Sequence, residues 1–251
     1  MSPTLLPVRT LFRVLIVALL GVLSGCSSDT NAIIQSLKYV YDRNAGVTSA
    51  VLNPKFRYLR VTVDGRIVLL ALGYVDSAPD GPVEVWYSAE REVIRLQNGR
   101  VVGVVGLTPE WRDVELHGAP SWLQLMNSDH SLKWTRIRDV MPGYLSRIVD
   151  NMASRSISTV RTTALVGVLP RELKWFEDVR EPDTTVGALA LFSTKFDKDQ
   201  SLPPARYGIS DSDGNATVVY GEQCLSVSFC FTWQRWPQEL PGKSEQSKSA
   251  R

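Results

Sequence analysis

Histidine, the side chain most often used for acid–base catalysis and metal binding, occurs only twice in the 251-residue chain, at His117 and His130. Neither lies in an HExxH or comparable spacing, so we expect both to be solvated loop residues. No GxSxG motif marks a nucleophile elbow. Gly242-Lys243-Ser244 matches the end of a phosphate-binding loop, but the position of its earlier glycine holds Pro237. The sequence therefore predicts no cofactor and no metal site.

Paired carboxylates could still hydrolyse a glycosidic bond, because such pairs assemble in space and leave no spacing in the sequence. Glu84, Glu90 and Asp113 are the candidates. Solvated strand faces or turns explain all three more simply. A polysaccharide-modifying hydrolase stays open as an alternative, and it requires a cleft with two carboxyl groups about 5 to 10 Å apart.

Cys26 carries a different chemistry because of the residues before it. Arg9 and Arg13 precede an uncharged run of ten apolar residues over 14–23. That run is too short for a bilayer core, which needs about 20 helical residues, and it fits a secretory signal peptide. Leu23-Ser24-Gly25-Cys26 also resembles the bacterial lipobox, in which the cysteine is diacylated and the peptide before it is removed. We predict a lipoprotein signal peptide over 1–25 and lipidation of Cys26.

Acyl chains on Cys26 would fix the protein to a membrane without a spanning segment. Two or three chains, each contributing about 0.8 kcal/mol per buried CH₂, hold effectively permanently. By the lipoprotein sorting rule, an Asp after the cysteine favours the inner membrane, and here that residue is Ser27. We therefore expect a bacterial protein on the periplasmic face of the outer membrane.

Cys224 and Cys230 would meet an oxidising compartment there, which favours a disulfide. Residues 225–233, however, alternate between apolar and small polar types, as in one strand. Six residues at about 3.3 Å per residue would separate the two backbones by roughly 20 Å, whereas a disulfide needs Cα atoms within about 7 Å. A bridge therefore requires the chain to reverse between them, and the pairing stays open.

The charge balance excludes one class of partner. The chain has 28 Lys+Arg and 26 Asp+Glu, and two of the arginines precede Cys26, which leaves 28 − 2 = 26 basic against 26 acidic residues. A neutral body gives no support to nucleic-acid binding. With 44% hydrophobic and 22% charged residues, the composition is that of a globular protein.

Residues 45–240 carry the signals of one β-rich domain. Asp64-Gly65 and Asn98-Gly99 each separate two β-rich runs, and such pairs favour two-residue hairpin turns. Residues 132–138 alternate, and 144–169 is rich in β-branched residues. We predict a mainly β fold, with a single antiparallel meandering sheet curved into a sandwich or a partly open barrel.

The flanks of this domain differ from it. Apolar residues at helical spacing predict a short helix over about 30–43, inside a lipid-anchored tether over 26–44. Residues 241–251 are polar and without periodicity, which predicts a disordered tail.

Residues 83–113 carry a resemblance to a known family. Val85-Trp86-Tyr87-Ser88-Ala89, followed by Asn98-Gly99-Arg100 and Gly106-Leu107, is similar to the signature of the YjbF family, the group 4 capsule polysaccharide or GfcB-like lipoproteins. The order of lipobox, helix, strand and hairpin is similar over roughly the first half of the chain. Residues 231–237 match the family's final aromatic strands loosely, whereas 170–222 depart from its pattern.

The resemblance implies a non-enzymatic outer-membrane lipoprotein that assists the production or secretion of capsule or exopolysaccharide. The implied partners are periplasmic and outer-membrane proteins of the same pathway, with the polysaccharide itself as a further candidate. Trp86, Tyr87 and Arg100 are not nucleophiles, so we predict that they form scaffold or a surface for a partner or glycan.

Two further expectations concern apolar surface. A curved antiparallel sheet with a helix could hold an acyl chain, as lipoprotein carriers do, and this alternative requires an enclosed apolar cavity. The seven tryptophans, among them Trp111, Trp122, Trp134 and Trp233, could stack on sugar rings. Packing in the core is the simpler expectation for them.

Overall fold

The computed structural model describes residues 52–162, 164–182, 202–212 and 214–237, so Cys26, the predicted helix over 30–43 and the tail over 241–251 lie outside it. The first six strands are β1 (Tyr58–Val63), β2 (Arg66–Asp76), β3 (Val83–Tyr87), β4 (Val93–Gln97), β5 (Arg100–Val105) and β6 (Glu110–His117). The next six are β7 (Leu132–Met141), β8 (Leu145–Ile157), β9 (Lys174–Arg180), β10 (Ala205–Ser212), β11 (Asn215–Ser226) and β12 (Phe229–Trp236). Between β6 and β7 lies a short helix, α1 (Trp122–Met126), and before β9 lies a 3-10 turn over Pro170–Glu172.

The twelve strands form one antiparallel sheet in which each strand pairs with its neighbours in chain order. The mainly β, single antiparallel sheet predicted from the sequence is therefore confirmed. The sheet closes on itself, since Tyr58 to Val63 pair with Trp236 to Phe231. The structure does not confirm the expected sandwich or partly open form, because pairing of β1 with β12 leaves neither of them as an edge strand.

The two hairpin turns predicted from Asp-Gly and Asn-Gly pairs are confirmed. Asp64 and Gly65 have φ of 48° and 75°, and Asn98 and Gly99 have φ of 49° and 79°. Positive φ at both central positions is what the tightest hairpin turn requires. Packing adds a second constraint at Gly99, since a Cβ there would lie 2.4 Å from a methyl of Val218.

The interpretation of residues 225–233 as one strand is wrong. The chain reverses at Val227-Ser228, and Cys224 in β11 lies directly opposite Cys230 in β12. Their Cα atoms are 3.9 Å apart, and a disulfide joins them. The apolar alternation continues through the turn because residues on both sides of it belong to the same sheet, so the pattern alone does not reveal the reversal.

The loops that connect the strands lie at the two ends of the closed sheet. At the proximal end β1 begins and β12 finishes, and the Asn98-Gly99 turn and α1 also lie there. At the distal end lie the turns at Asp64-Gly65 and Val227-Ser228. Strands that alternate in direction in a closed sheet bring alternate loops to one end, so residues far apart in sequence meet at the proximal end.

Apolar side chains from all twelve strands meet in one cluster inside the ring. Trp111 and Trp233 in this cluster are completely buried. Gly221 lets the Trp233 ring approach the backbone, since a Cβ there would lie 2.5 Å from the ring. Core packing predicted for Trp86, Trp111, Trp122, Trp134 and Trp233 is confirmed, because each is at most 6% exposed.

A charged layer crosses the interior beside this core. Asp150 is fully buried and accepts hydrogen bonds from Arg136 Nε at 2.9 Å and Arg138 Nε at 2.7 Å. Burial opposes ionisation of Asp150, yet the two guanidinium groups prevail and hold its pKa below the usual value. Both guanidinium groups also lie over the Trp111 ring, at 4.8 and 5.1 Å from its centroid. The interior therefore contains paired charge as well as apolar surface.

Residues 158–162 and 164–173, here called the strap, cross the outer face of the sheet between β8 and β9. The β-rich signal over 144–169 therefore exceeds the strand, which ends at Ile157. The buried Gln234 side chain donates to Val166 O at 2.7 Å and accepts from Val166 N at 3.0 Å. Val168 packs with Trp175 in the strap's own apolar cluster. The strap thus covers β12 on the side opposite the core.

Candidate functional site

A groove of about 580 Å³ opens at the proximal end, where the paired strands β2 and β3 extend beyond the start of β1. We call it the end groove. Its walls come from the chain just before and at the start of β1, from β3, from the start of β11 and from the end of β12. The lining residues are Phe56, Arg57, Tyr58, Glu84, Trp86, Thr217, Val219, Arg235, Trp236 and Pro237.

An ion cluster lies at the centre of this groove. Both Glu84 carboxylate oxygens accept from Arg235, at 3.0 Å from Nη1 and 2.8 Å from Nη2. Arg57 Nη2 donates to the same carboxylate at 2.7 Å. Arg235 Nε also donates to Val218 O at 3.1 Å, so all three guanidinium nitrogens of Arg235 donate hydrogen bonds. The Arg57 side chain is 58% exposed and the Arg235 side chain 25%, which makes Arg57 the accessible cation.

Trp86 supports the two arginines from the floor of the groove. It is 1% exposed, and the guanidinium carbons of Arg57 and Arg235 each lie 5.9 Å from its ring centroid. That distance is within the range of cation–π attraction. Trp86 Nε1 is buried without a hydrogen-bond partner among the described residues.

An aromatic wall stands beside the ion cluster. Trp236 is half-buried and packs with Phe56 and the buried Tyr58 in a small apolar cluster. The Phe56 and Tyr58 rings meet edge to face with centroids 6.5 Å apart. Arg60 lies with its guanidinium carbon 5.9 Å from the Trp236 ring. The lining of the groove therefore combines aromatic side chains with an exposed cation.

A second depression of about 370 Å³ adjoins the first and shares Glu84, Thr217 and Arg235 with it. It adds amide and hydroxyl side chains from the Asn98-Gly99 turn, the residue before α1 and the start of β11, namely Asn98, Ser121 and Asn215. The two depressions form a continuous path across the proximal end.

The structure separates the residues predicted as a surface. Trp86 and Arg100 are 1% and 3% exposed, and of the two alternatives predicted for them, scaffold or surface, this burial favours scaffold. The inner side of every strand is covered in a closed sheet, which is why both side chains are buried. Tyr87 is half-buried, and its ring lies 6.4 Å from that of Tyr74. Burial and the neighbouring Tyr74 raise the pKa of Tyr87.

Arg100 serves as an interior ion-pair partner. Its Nε donates to Asp178 at 2.8 Å and its Nη1 to Pro120 O at 3.0 Å. The guanidinium carbon lies 3.9 Å from the Trp122 ring centroid. Asp178 also accepts a hydrogen bond from Ser154. These contacts tie the loop before α1 to β5 and β9, so the Asn-Gly-Arg sequence is structural here.

Sequence reasoning missed the centre of the groove. The sequence predicts a solvated strand face or a turn for Glu84, but its side chain is 16% exposed and paired with two arginines. Glu84 lies two residues before Trp86 on one strand, which is the single local signal that the two share a face. Arg57 and Arg235 are far apart in sequence and meet only because the sheet closes. Glu90 and Asp113 are exposed as expected.

Other predicted chemistries gain no support from the described residues. The lining of the end groove has a single carboxylate, that of Glu84, whereas the hydrolase alternative requires two. No group of His, Cys, Asp and Glu in the described residues is arranged to hold a metal ion, and His117 and His130 are exposed. Large side chains occupy the interior of the ring, so the described core gives no support to the acyl-carrier alternative.

Within the described residues, no helix has both the length and the apolar character needed to cross a bilayer.

Comparison with known proteins shows a family and a similar fold. The family model described as group 4 capsule polysaccharide lipoprotein gfcB, YjbF, matches residues 52–184. The fold is similar to the crystal structure of the hypothetical lipoprotein YmcC from Escherichia coli (K12), with a TM-score of 0.50 and 15% identity over 75% of this chain and 87% of that chain. No curated protein matches the chain. Because the family model covers more than half of the sequence, from before β1 to beyond β9, the chain belongs to the YjbF family of group 4 capsule polysaccharide lipoproteins.

Proposed function

We propose that this protein is a lipid-anchored component of the periplasmic face of the outer membrane that assists the production or secretion of capsule or exopolysaccharide without catalysing a reaction on it. The observation that carries the proposal is the match of residues 52–184 to the capsule polysaccharide lipoprotein family. The predicted signal peptide over 1–25 and the predicted lipobox ending at Cys26 are consistent with that family description.

The end groove supports a binding role. Its central carboxylate, Glu84, is engaged by Arg235 through both oxygens and by Arg57 through one. A carboxylate whose two oxygens are both engaged by guanidinium groups is poorly placed to attack a sugar, and the groove lining holds no second carboxylate to work with it. Exposed guanidinium and aromatic groups, by contrast, are suited to holding a ligand.

The predicted lipid anchor at Cys26 would place the groove at the membrane. Acyl chains on Cys26 would keep the groove near the membrane surface, which raises its effective concentration for pathway proteins embedded there. We therefore propose periplasmic and outer-membrane proteins of the same polysaccharide pathway as partners. The groove would hold the glycan while those partners move it.

Deletion of the gene in a capsulated strain tests this function. We expect less surface polysaccharide or a changed chain length, restored by the wild-type gene and not by the Cys26→Ser variant, which cannot be acylated. The measurement is polysaccharide content and size distribution, with membrane fractionation to locate each variant. Unchanged amount and chain length in the deletion strain would contradict the proposal.

A further inference from the structure

We infer that the end groove binds an acidic polysaccharide segment, with Arg57 holding a sugar carboxylate and Trp236 contacting the sugar ring. This inference rests on the proposed function and names the class of glycan that the site takes. It is carried by the charge, the aromatic wall and the extended shape of the groove.

The charge of the groove favours an anion. Two guanidinium groups, of Arg57 and Arg235, face one carboxylate, that of Glu84. Arg235 occupies both carboxylate oxygens, so one positive charge remains unmatched, and it belongs to the more exposed Arg57. Within the part of the chain that the structure describes, Arg57 makes one side-chain hydrogen bond, to Glu84, so its other guanidinium N–H groups can bind a sugar carboxylate with parallel hydrogen bonds.

The aromatic wall favours a sugar as the carrier of that anion. Trp236 is the one tryptophan of the described residues that is not buried, and it lines the same groove as Arg57. The face of an aromatic ring is apolar. A groove that contains such a ring and a cation therefore suits a ligand with an apolar C–H surface and a negatively charged substituent. An acidic sugar has both.

The shape favours a polymer over a single sugar. The second depression continues from the first through Glu84, Thr217 and Arg235. Asn98 and Asn215 along this path are exposed, and side-chain amides both donate to and accept from hydroxyl groups. A chain of sugars can therefore lie across the proximal end, with its acidic residue at Arg57 and neutral hydroxyls at the amides.

Calorimetric titration of the detergent-solubilised full chain tests the inference. The probes are tetragalacturonate and the neutral maltotetraose, each at low salt and at about 0.5 M salt, where surface electrostatics are strongly screened. We expect tetragalacturonate to bind at low salt and weaken at high salt, with maltotetraose at least tenfold weaker. Arg57→Gln should weaken tetragalacturonate binding by about tenfold or more, since a hydrogen-bonded charge is lost, and Arg57→Lys should weaken it less.

Arg112→Gln is the matched control. Arg112 is also exposed and paired with one carboxylate, Glu110 at 3.1 Å, but it lies on β6 near the distal end. Its loss removes the same charge and should leave tetragalacturonate binding unchanged. Equal weakening by both variants would show a general charge effect and overturn the assignment to the groove.

Further outcomes separate this inference from the function on which it rests. Equal binding of the neutral probe, unaltered binding by Arg57→Gln, or no binding of tetragalacturonate would each overturn the acidic-glycan inference. The proposed function would still stand if the deletion strain lost its polysaccharide. A deletion strain with normal polysaccharide would overturn the function itself, whatever the probes bind.

Discussion

Asp150 is the residue on which the interior charge depends most. It is fully buried and bonded to Arg136 and Arg138, each at most 5% exposed, and Arg180 approaches its other oxygen at 3.5 Å. Removing one member of such a set leaves the others as uncompensated buried charges. The same interior also needs Asp178, because Arg100 would otherwise be buried without a counter-ion.

Replacing Asp150 with Asn should therefore lower the free energy of unfolding by about 3 to 5 kcal/mol, because two guanidinium groups lose their partner. Urea denaturation followed by tryptophan fluorescence measures the change. Asp113→Asn is the control, since Asp113 is exposed and 3.6 Å from Arg95, and its loss should cost less than about 1 kcal/mol. Equal effects of the two variants would contradict the assigned role of Asp150.

The pKa of Asp150 also predicts how this difference changes with pH. Its pKa is lower in the folded protein than in an unfolded chain, where an Asp titrates near 3.9. Its contribution is therefore complete above about pH 5 and is lost as the pH falls below about 4 through the folded pKa. The stability gap between wild type and Asp150→Asn should narrow over that range, and a gap constant with pH would contradict this mechanism.

Individual residues show where sequence reasoning reaches its limit. The scaffold role of Trp86 can be predicted from its residue type and from the strand around it. The partly buried ion pairs of Glu84 cannot be predicted in this way, because closure of the sheet brings Arg57 and Arg235 to it from distant positions in the sequence. The Arg100 partner, Asp178, is likewise set by tertiary structure. Periodicity tells which residues share a face, but not what lies opposite that face.

At the scale of elements, local signals succeeded and non-local ones did not. The Asp64-Gly65 and Asn98-Gly99 hairpins were predictable because two residues determine the turn. The reversal between Cys224 and Cys230 carries no such pair, so the sequence pattern predicts a single strand there. The β-rich signal over 144–169 extends into the strap because β-branched residues also suit a segment that packs on a sheet. Closure between β1 and β12 has no local signal, since their pairing is decided by the number and tilt of all the strands.

The strap should loosen when Gln234 is changed. Gln234→Leu keeps the volume of the side chain but removes both hydrogen bonds to Val166. Leaving these backbone groups unpaired should cost about 1 to 3 kcal/mol. Hydrogen exchange should become faster across residues 164–173, while β5, far from the strap, keeps its protection. Equal acceleration in both regions would instead indicate global unfolding and contradict a local role for Gln234.

At the scale of the whole molecule, the region matched by the family model and the closed sheet end at different residues. The match ends at residue 184, just after β9, whereas the ring is completed by β10, β11 and β12. These last strands supply Trp233 and Phe231 to the core and Arg235 and Trp236 to the end groove. The region shared with the family therefore cannot form the groove without the segment beyond it.

A chain truncated after Thr184 should consequently fail to fold, although it contains the whole region matched by the family model. Without β10 to β12, the partners of β1 and β9 are lost, and two unpaired edges invite aggregation. Pairing of β1 with β12 also means that folding cannot finish before β12 has been made. A chain ending at Leu240 retains β12 and lacks the polar tail, so it serves as the control. Size-exclusion chromatography and limited proteolysis measure the difference. We expect the control to be monomeric and resistant to protease, and the Thr184 truncation to be aggregated or degraded. A compact, resistant Thr184 fragment would show that ring closure is not needed for stability.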